Sequence, residues 1–158
     1  MQDAHRTPEG PASAPSGGID DLARDLQSEI DAEALAHYGP EAFRRWKRLP
    51  TMRRIPGAQA VGRVTGGCGD TIEISLVLDA ETIVTGAFFS DGCGSSQVCA
   101  SVAVELAVGK SVDEAYDVTG EDILAVLKVF PEDEKHCAHL AAKALNMALH
   151  DFITRPRA

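Results

Sequence analysis

The chain has 158 residues, 44% of them hydrophobic and 25% charged, with a formal net charge of −9. That is enough for one domain with a real core, and too acidic overall for nucleic-acid binding to be the main role. No apolar run reaches the ~18 residues that a membrane-spanning helix needs, and residues 1–18 lack the apolar stretch of a secretory signal. The expectation is a cytoplasmic protein with neither nucleic acid nor membrane as a partner. In that compartment the four cysteines, Cys68, Cys93, Cys99 and Cys137, point to metal binding or catalysis before disulfides.

Residues 1–18 are rich in proline, glycine and small polar residues and read as a disordered tail, leaving one domain over 19–158. Ile19, Leu22, Leu26 and Ile30 recur at helical spacing with acids between them, and Gly39-Pro40 stops the run. His37, just before that stop, suits the negative end of the helix. Pro40 then suits the first turn of a second helix, Glu41 to Arg48, ended by Pro50. Arg44, Arg45, Lys47, Arg48, Arg53 and Arg54 gather six of the fifteen basic residues there. They read either as a solvated face or as a docking patch for an acidic partner, with Trp46 as core or partner contact.

Three segments, Ala60 to Thr65, Thr71 to Leu78 and Thr82 to Phe89, are rich in β-branched residues and near-alternating in polarity. Ile72, Ile74, Leu76 and Leu78 should face one way, and Asp79-Ala80-Glu81 should close a hairpin. Short links predict an antiparallel meander with one buried face. After Cys93 the pattern is helical to the end. Ser95 and Ser96 are N-cap candidates for a helix running to Val108, Ser111 caps a short helix to Tyr116, and Thr119 caps another to Val129. Glu132-Asp133-Glu134 should open the last helix, whose core stripe is Leu140, Ala144, Leu145, Ala148 and Phe152. Strands first and helices afterwards predict an α+β fold: a three-stranded antiparallel sheet packed by helices, with an N-terminal helical segment.

Three cysteines fall at element junctions. Cys68 lies in the glycine-rich turn Gly66-Gly67-Cys68-Gly69-Asp70, Cys93 between Gly92 and Gly94 at a strand-to-helix turn, and Cys137 beside His136 near the start of the last helix. Asp70, two residues after Cys68, shares its side if the chain is extended there. A thiol at a helix N-terminus has a lowered pKa, which suits a nucleophile or a metal ligand. Three thiolates, a carboxylate and an imidazole form a metal-binding inventory, open to tetrahedral zinc or to a [2Fe–2S] unit. Cys99, inside a helix, reads as a small buried apolar residue, and His139 and His150 as polar-face residues.

Cys68-Gly69-Asp70, Asp91-Gly92-Cys93-Gly94-Ser95-Ser96, Gly109-Lys110-Ser111 and His136-Cys137 with Leu140-Ala141 occur in an order that resembles the IscU/NifU-type iron–sulfur cluster assembly scaffolds. The resemblance runs from about His37 to Phe152. It implies a platform and carrier, not an enzyme, on which a transient [2Fe–2S] cluster forms from iron and sulfur supplied by a cysteine desulfurase and passes to recipient proteins. It also implies Cys68, Cys93 and Cys137 as cysteine ligands, with Asp70 and His136 at the two positions proposed for the fourth ligand. An iron donor and apo iron–sulfur proteins would be further partners. In the bacterial scaffolds a dedicated Hsp70 chaperone reads a Leu-Pro-Pro-Val-Lys segment before His-Cys. Here Phe130-Pro131-Glu132-Asp133-Glu134-Lys135 keeps only the first proline and an apolar neighbour, which counts against that partner.

Two alternatives remain. One is the SufU-like branch, a zinc-dependent sulfur acceptor relaying persulfide from the desulfurase. That branch carries an insertion between its second and third cysteine positions and lacks the histidine, whereas this chain retains His136 with no obvious insertion after Cys93. The other is a hydrolase with Cys93 as nucleophile and His136 as base, which leaves Cys68, Cys137 and Asp70 without a task.

Overall fold

A computed structural model describes residues 17–156, so the tail expected over residues 1–18 lies almost wholly outside the described residues. The element order is α1 (Ile19–Trp46), β1 (Ala60–Thr65), β2 (Thr71–Asp79), β3 (Thr82–Ser90), α2 (Gly94–Ala107), α3 (Val112–Tyr116), α4 (Gly120–Leu127), a single 3-10 turn (Glu132–Glu134) and α5 (His136–Thr154). The N-terminal part of α1 has acids in its first turn, Asp20 and Asp21. Its stripe of Ile19, Leu22, Leu26 and Ile30 is present but exposed. α1 is two helices joined at Gly39, which adopts φ 78°, ψ 165° ahead of Pro40. A side chain at Gly39 would also strike Val129, its Cβ coming within 2.8 Å of the Val129 Cβ. The second helix ends at Trp46, two residues before the expected Arg48.

The three strands form the expected antiparallel meander in the order β1-β2-β3. Ile72, Ile74, Leu76 and Leu78 are all buried on one face, because successive strand residues point to opposite sides. The β2–β3 turn is tighter than expected, with Ala80 at φ 53° and a register shift at Val77/Leu78. The opposite face is also partly covered: Ser75 is buried and its Oγ accepts from Ile55 N–H, while the Arg54 guanidinium lies 3.8 Å from the Phe89 ring centroid.

α5 packs directly on β1. Ala138, Ala141, Ala144, Leu145, Ala148 and Leu149 are buried, while the expected stripe members Leu140 and Phe152 lie only partly buried at the core's edge. The approach is so close that a Cβ on Gly62 would sit 2.2 Å from Ala148 N. α3 and α4 carry complete capping boxes, Ser111 with Glu114 and Thr119 with Asp122, as their sequences predicted. The acidic run before α5 departs from expectation. Glu132–Glu134 forms its own 3-10 turn, and the first helical residue of α5 is His136.

Two outcomes follow for stability. Gly62→Ala should lower stability by at least about 1–3 kcal/mol, because the new methyl meets helix backbone, which cannot rotate away; a denaturant melt measures it. The Glu114 and Asp122 carboxyls are held below the ordinary carboxylate range by their capping hydrogen bonds. Their stabilisation is therefore present above the unfolded carboxylate pKa and lost as pH falls through the folded one. The melting midpoint should fall on acidification through that range, and Asp122→Asn should flatten the fall.

Candidate metal centre

The centre gathers where the β1–β2 turn, the end of β3, the start of α2 and the start of α5 converge. Cys68 stands exposed in the turn that Gly69 N–H closes onto the Gly66 carbonyl at 3.0 Å. Gly69 needs φ 91°, so the chain is not extended from Cys68 to Asp70 as the spacing argument assumed. Asp70 turns toward α2 instead. Its Oδ2 accepts from Cys93 N–H at 3.2 Å and from the Ser96 hydroxyl at 2.7 Å. Chiefly the Ser96 hydroxyl, and then the Cys93 N–H, hold the Asp70 carboxyl below its ordinary pKa against the opposing effect of burial.

These contacts revise the expectation for the helix start. Cys93 is itself the N-cap of α2 and makes no side-chain cap bond, while Ser95 and Ser96 lie inside the first turn and are buried. Asp70, from a different hairpin, takes the place of the missing cap, and its negative charge sits at the positive end of the helix. The flanking glycines have separate reasons. A Cβ on Gly92 would fall 2.5 Å from Asp70 Cγ, so the carboxylate reaches α2 only because Gly92 has none. A Cβ on Gly94 would come 3.1 Å from Trp46 Nε1. Trp46, still 40% exposed, thus edges the centre and does not enter the core.

The Ser96 hydroxyl also lies 3.5 Å from Cys137 Sγ and 3.8 Å from Cys93 Sγ. Cys137 is buried, and burial raises its thiol to about 11, with the Ser96 hydroxyl offsetting part of the rise. It therefore rests as a thiol, and ligation must displace a proton. Neighbouring His136 places Nδ1 3.0 Å from the Asp133 carbonyl and Nε2 3.6 Å from Cys137 Sγ. Since a carbonyl only accepts, Nδ1 carries the proton, and Nε2 is left with its lone pair toward the sulfur.

Sequence reasoning named Ser96 as a cap and did not see it as the contact among donors. It also missed Glu134. That carboxylate accepts from Tyr38 Oη at 3.3 Å and from the Ser95 hydroxyl, and lies 3.7 Å from His37 Nε2. It ties the 3-10 turn before His136 to both α1 and α2. His37 thus faces a carboxylate and is not simply a charge at a helix end. Phe130 packs against Tyr38 with ring centroids 6.1 Å apart. Glu134 was legible only as one acid in an acidic run. Cys99 is buried, and burial pushes its thiol well above the ordinary value, in line with the core reading.

Asp70, Cys93, His136 and Cys137 are thus joined by short contacts, and Cys68 is near enough for its charge to act on Cys137. Among the described residues, no three His, Cys, Asp or Glu side chains stand in a ready-made metal-holding arrangement. Asp70 is committed to α2, and Cys68 faces outward. The donor set suits a soft, thiophilic metal, but the donors would have to close on it.

Residues 52–158 match the NifU-like N-terminal domain family. The chain belongs to that family. It is 29% identical over 119 residues to the iron–sulfur cluster assembly scaffold protein IscU 1 of Archaeoglobus fulgidus, covering 75% of this chain and 78% of that one. It is 37% identical over 86 residues to the iron–sulfur cluster assembly enzyme IscU of Drosophila melanogaster, covering 54% and 55%. The fold matches the N-terminal part of a nitrogen-fixing NifU-like protein from Brucella abortus with a TM-score of 0.64 at 13% identity, over 77% of this chain and 98% of that one. The α+β architecture expected from the sequence is therefore the family's fold. No described helix is long and apolar enough to cross a membrane.

Replacing Asp70 by Ala removes a cap from α2 and should cost about 1 kcal/mol or more of stability, within the range for lost helix caps. Gly92→Ala should reproduce much of this loss by pushing the carboxylate away. Equal unfolding midpoints for wild type and Asp70→Ala would contradict the capping role.

Proposed function

We propose that the chain is a scaffold on which a transient [2Fe–2S] cluster is assembled from iron and desulfurase-derived sulfur, then passed to recipient proteins. The observation supporting this reading is the Ser96 hydroxyl, which touches Asp70, Cys93 and Cys137 and so brings three donors from three separate elements to one point. The cluster is cargo, held by Cys68, Cys93 and Cys137 with Asp70 or His136 completing the set.

Each donor brings a different property. Cys68 and Cys93 are exposed and can receive sulfur from a partner. Cys137 is the buried anchor and ligates by losing its proton. Asp70 can ligate only by leaving the α2 cap, so its bond to the cargo competes with helix stability. A hard oxygen donor in a soft set adds to that lability. His136, oriented through Nδ1, offers Nε2 to the same place. A cysteine desulfurase, an iron donor and apo iron–sulfur proteins are the partners, and turnover belongs to the desulfurase. The packing of Phe130 on Tyr38 and the ties on Glu134 support a segment not free to be read by a dedicated Hsp70 chaperone.

Anaerobic incubation with iron, cysteine and a cysteine desulfurase should develop visible charge-transfer absorption, and Cys93→Ser should abolish it. A colourless protein that instead keeps one zinc and accelerates the desulfurase would establish the SufU-like zinc-dependent reading. Asp70→Ala should hold the cluster longer during transfer to an apo-ferredoxin. Because the Cys137 thiol is raised to about 11, protons compete with metal, and loading should weaken as pH falls.

A further inference from the structure

Two features of this chain are not used by the metal centre. The first is a groove of about 860 Å³ between the second half of α1 and α2. Arg44, Arg45, Lys47 and Arg48 form its basic wall, and Val104 and Val108 contribute apolar lining. Within the wall, Arg44 and Arg45 share Glu41, and Arg45 also binds Glu105 through both terminal nitrogens. Arg48 is exposed.

The second feature is the N-terminal part of α1. Ile19, Leu22, Leu26 and Ile30 are 87%, 62%, 51% and 52% exposed and form an apolar stripe along that helix. Asp21, Asp25, Glu29 and Glu33 recur at a spacing of four, which places them in one row immediately beside that stripe, with Asp21 paired to Arg24 at 2.8 Å. Like charges at this spacing destabilise a helix, and exposed leucine and isoleucine on the adjoining row add no compensating burial. Both costs are removed by a partner that presents cations next to an apolar strip. The groove has that composition.

We propose that the acidic, apolar-striped helix of one copy docks into the basic groove of a second copy. Reciprocal exchange, helix of each in groove of the other, closes the contact into a two-fold dimer and prevents open polymerisation. The carboxylate row meets the arginine wall, and Leu22, Leu26 and Ile30 cover the exposed Val108. Opposite charges also fix the register and direction of docking.

Sedimentation of the full chain over a concentration series, at low and high salt, tests this. Self-association is expected, weakening with salt. Arg44→Glu with Arg48→Glu, and separately Asp25→Lys with Glu29→Lys, should each weaken it about tenfold or more. Mixing these two variants should restore association, because each reversed helix then meets a reversed groove while the unaltered helix meets the unaltered groove. Both pairs are on the surface, and unchanged melting curves confirm that the variants are folded. A wild-type chain that stays monomeric throughout overturns the proposal. So does association that Leu26→Asp abolishes but neither charge reversal affects, which would mean stripe-to-stripe pairing. Failure of the mixture to recover overturns the groove as the docking site.

Discussion

The carboxylate of Asp70 on the N-terminus of α2 is the contact on which the centre depends. α2 starts at a cysteine whose side chain does not cap it, so its first backbone N–H groups need an acceptor from elsewhere. Asp70 supplies one for the Cys93 N–H and also accepts from the Ser96 hydroxyl, both charge-assisted hydrogen bonds. One carboxylate thereby fixes the β1–β2 turn that carries Cys68 against the helix start that carries Cys93. Gly92 is the geometric condition for it. The same group is a candidate ligand, which couples local stability to the occupancy of the site.

The third thiol arrives by another route. Where α5 lies on β1 is set by the absence of a side chain at Gly62 and by the run of buried alanines facing it. That contact determines how deep Cys137 sits and why its thiol stays protonated. Glu134 then restrains the turn just ahead of it, holding the approach to His136 against α1 and α2. The centre thus has a rigid floor at Cys137 and two accessible thiols at its rim. An arrangement of that kind suits a group that must arrive and leave.

Charge is unevenly distributed over the chain. The overall balance of −9 conceals a basic wall at the end of α1 and just after it, and a carboxylate row on the first part of α1. Such a division lies apart from the candidate centre, since none of those groups is among its candidate donors. It concerns association, where separated patches of opposite sign steer encounter and select orientation.

The strand alternation, the Gly39-Pro40 break and both capping boxes were legible in the sequence because each is enforced within a few residues by backbone geometry or a local hydrogen bond. The five candidate donors could be named from the sequence, since glycines and helix starts surround the three thiols and the family pattern names their neighbours. Contacts between distant segments were not. Nothing near Asp70 shows that it caps a helix more than twenty residues on, and nothing near Ser96 shows that it meets Cys137. Glycines that read as freedom for the backbone at Gly92 and Gly62 proved to be clearances for Asp70 and for α5. By itself the sequence determined which elements form and which residues are candidates for the chemistry, because those depend on periodicity and on local bonding. Only the tertiary structure decided which thiol is buried and which carboxylate is engaged, because burial and capping across the sheet depend on how the elements pack.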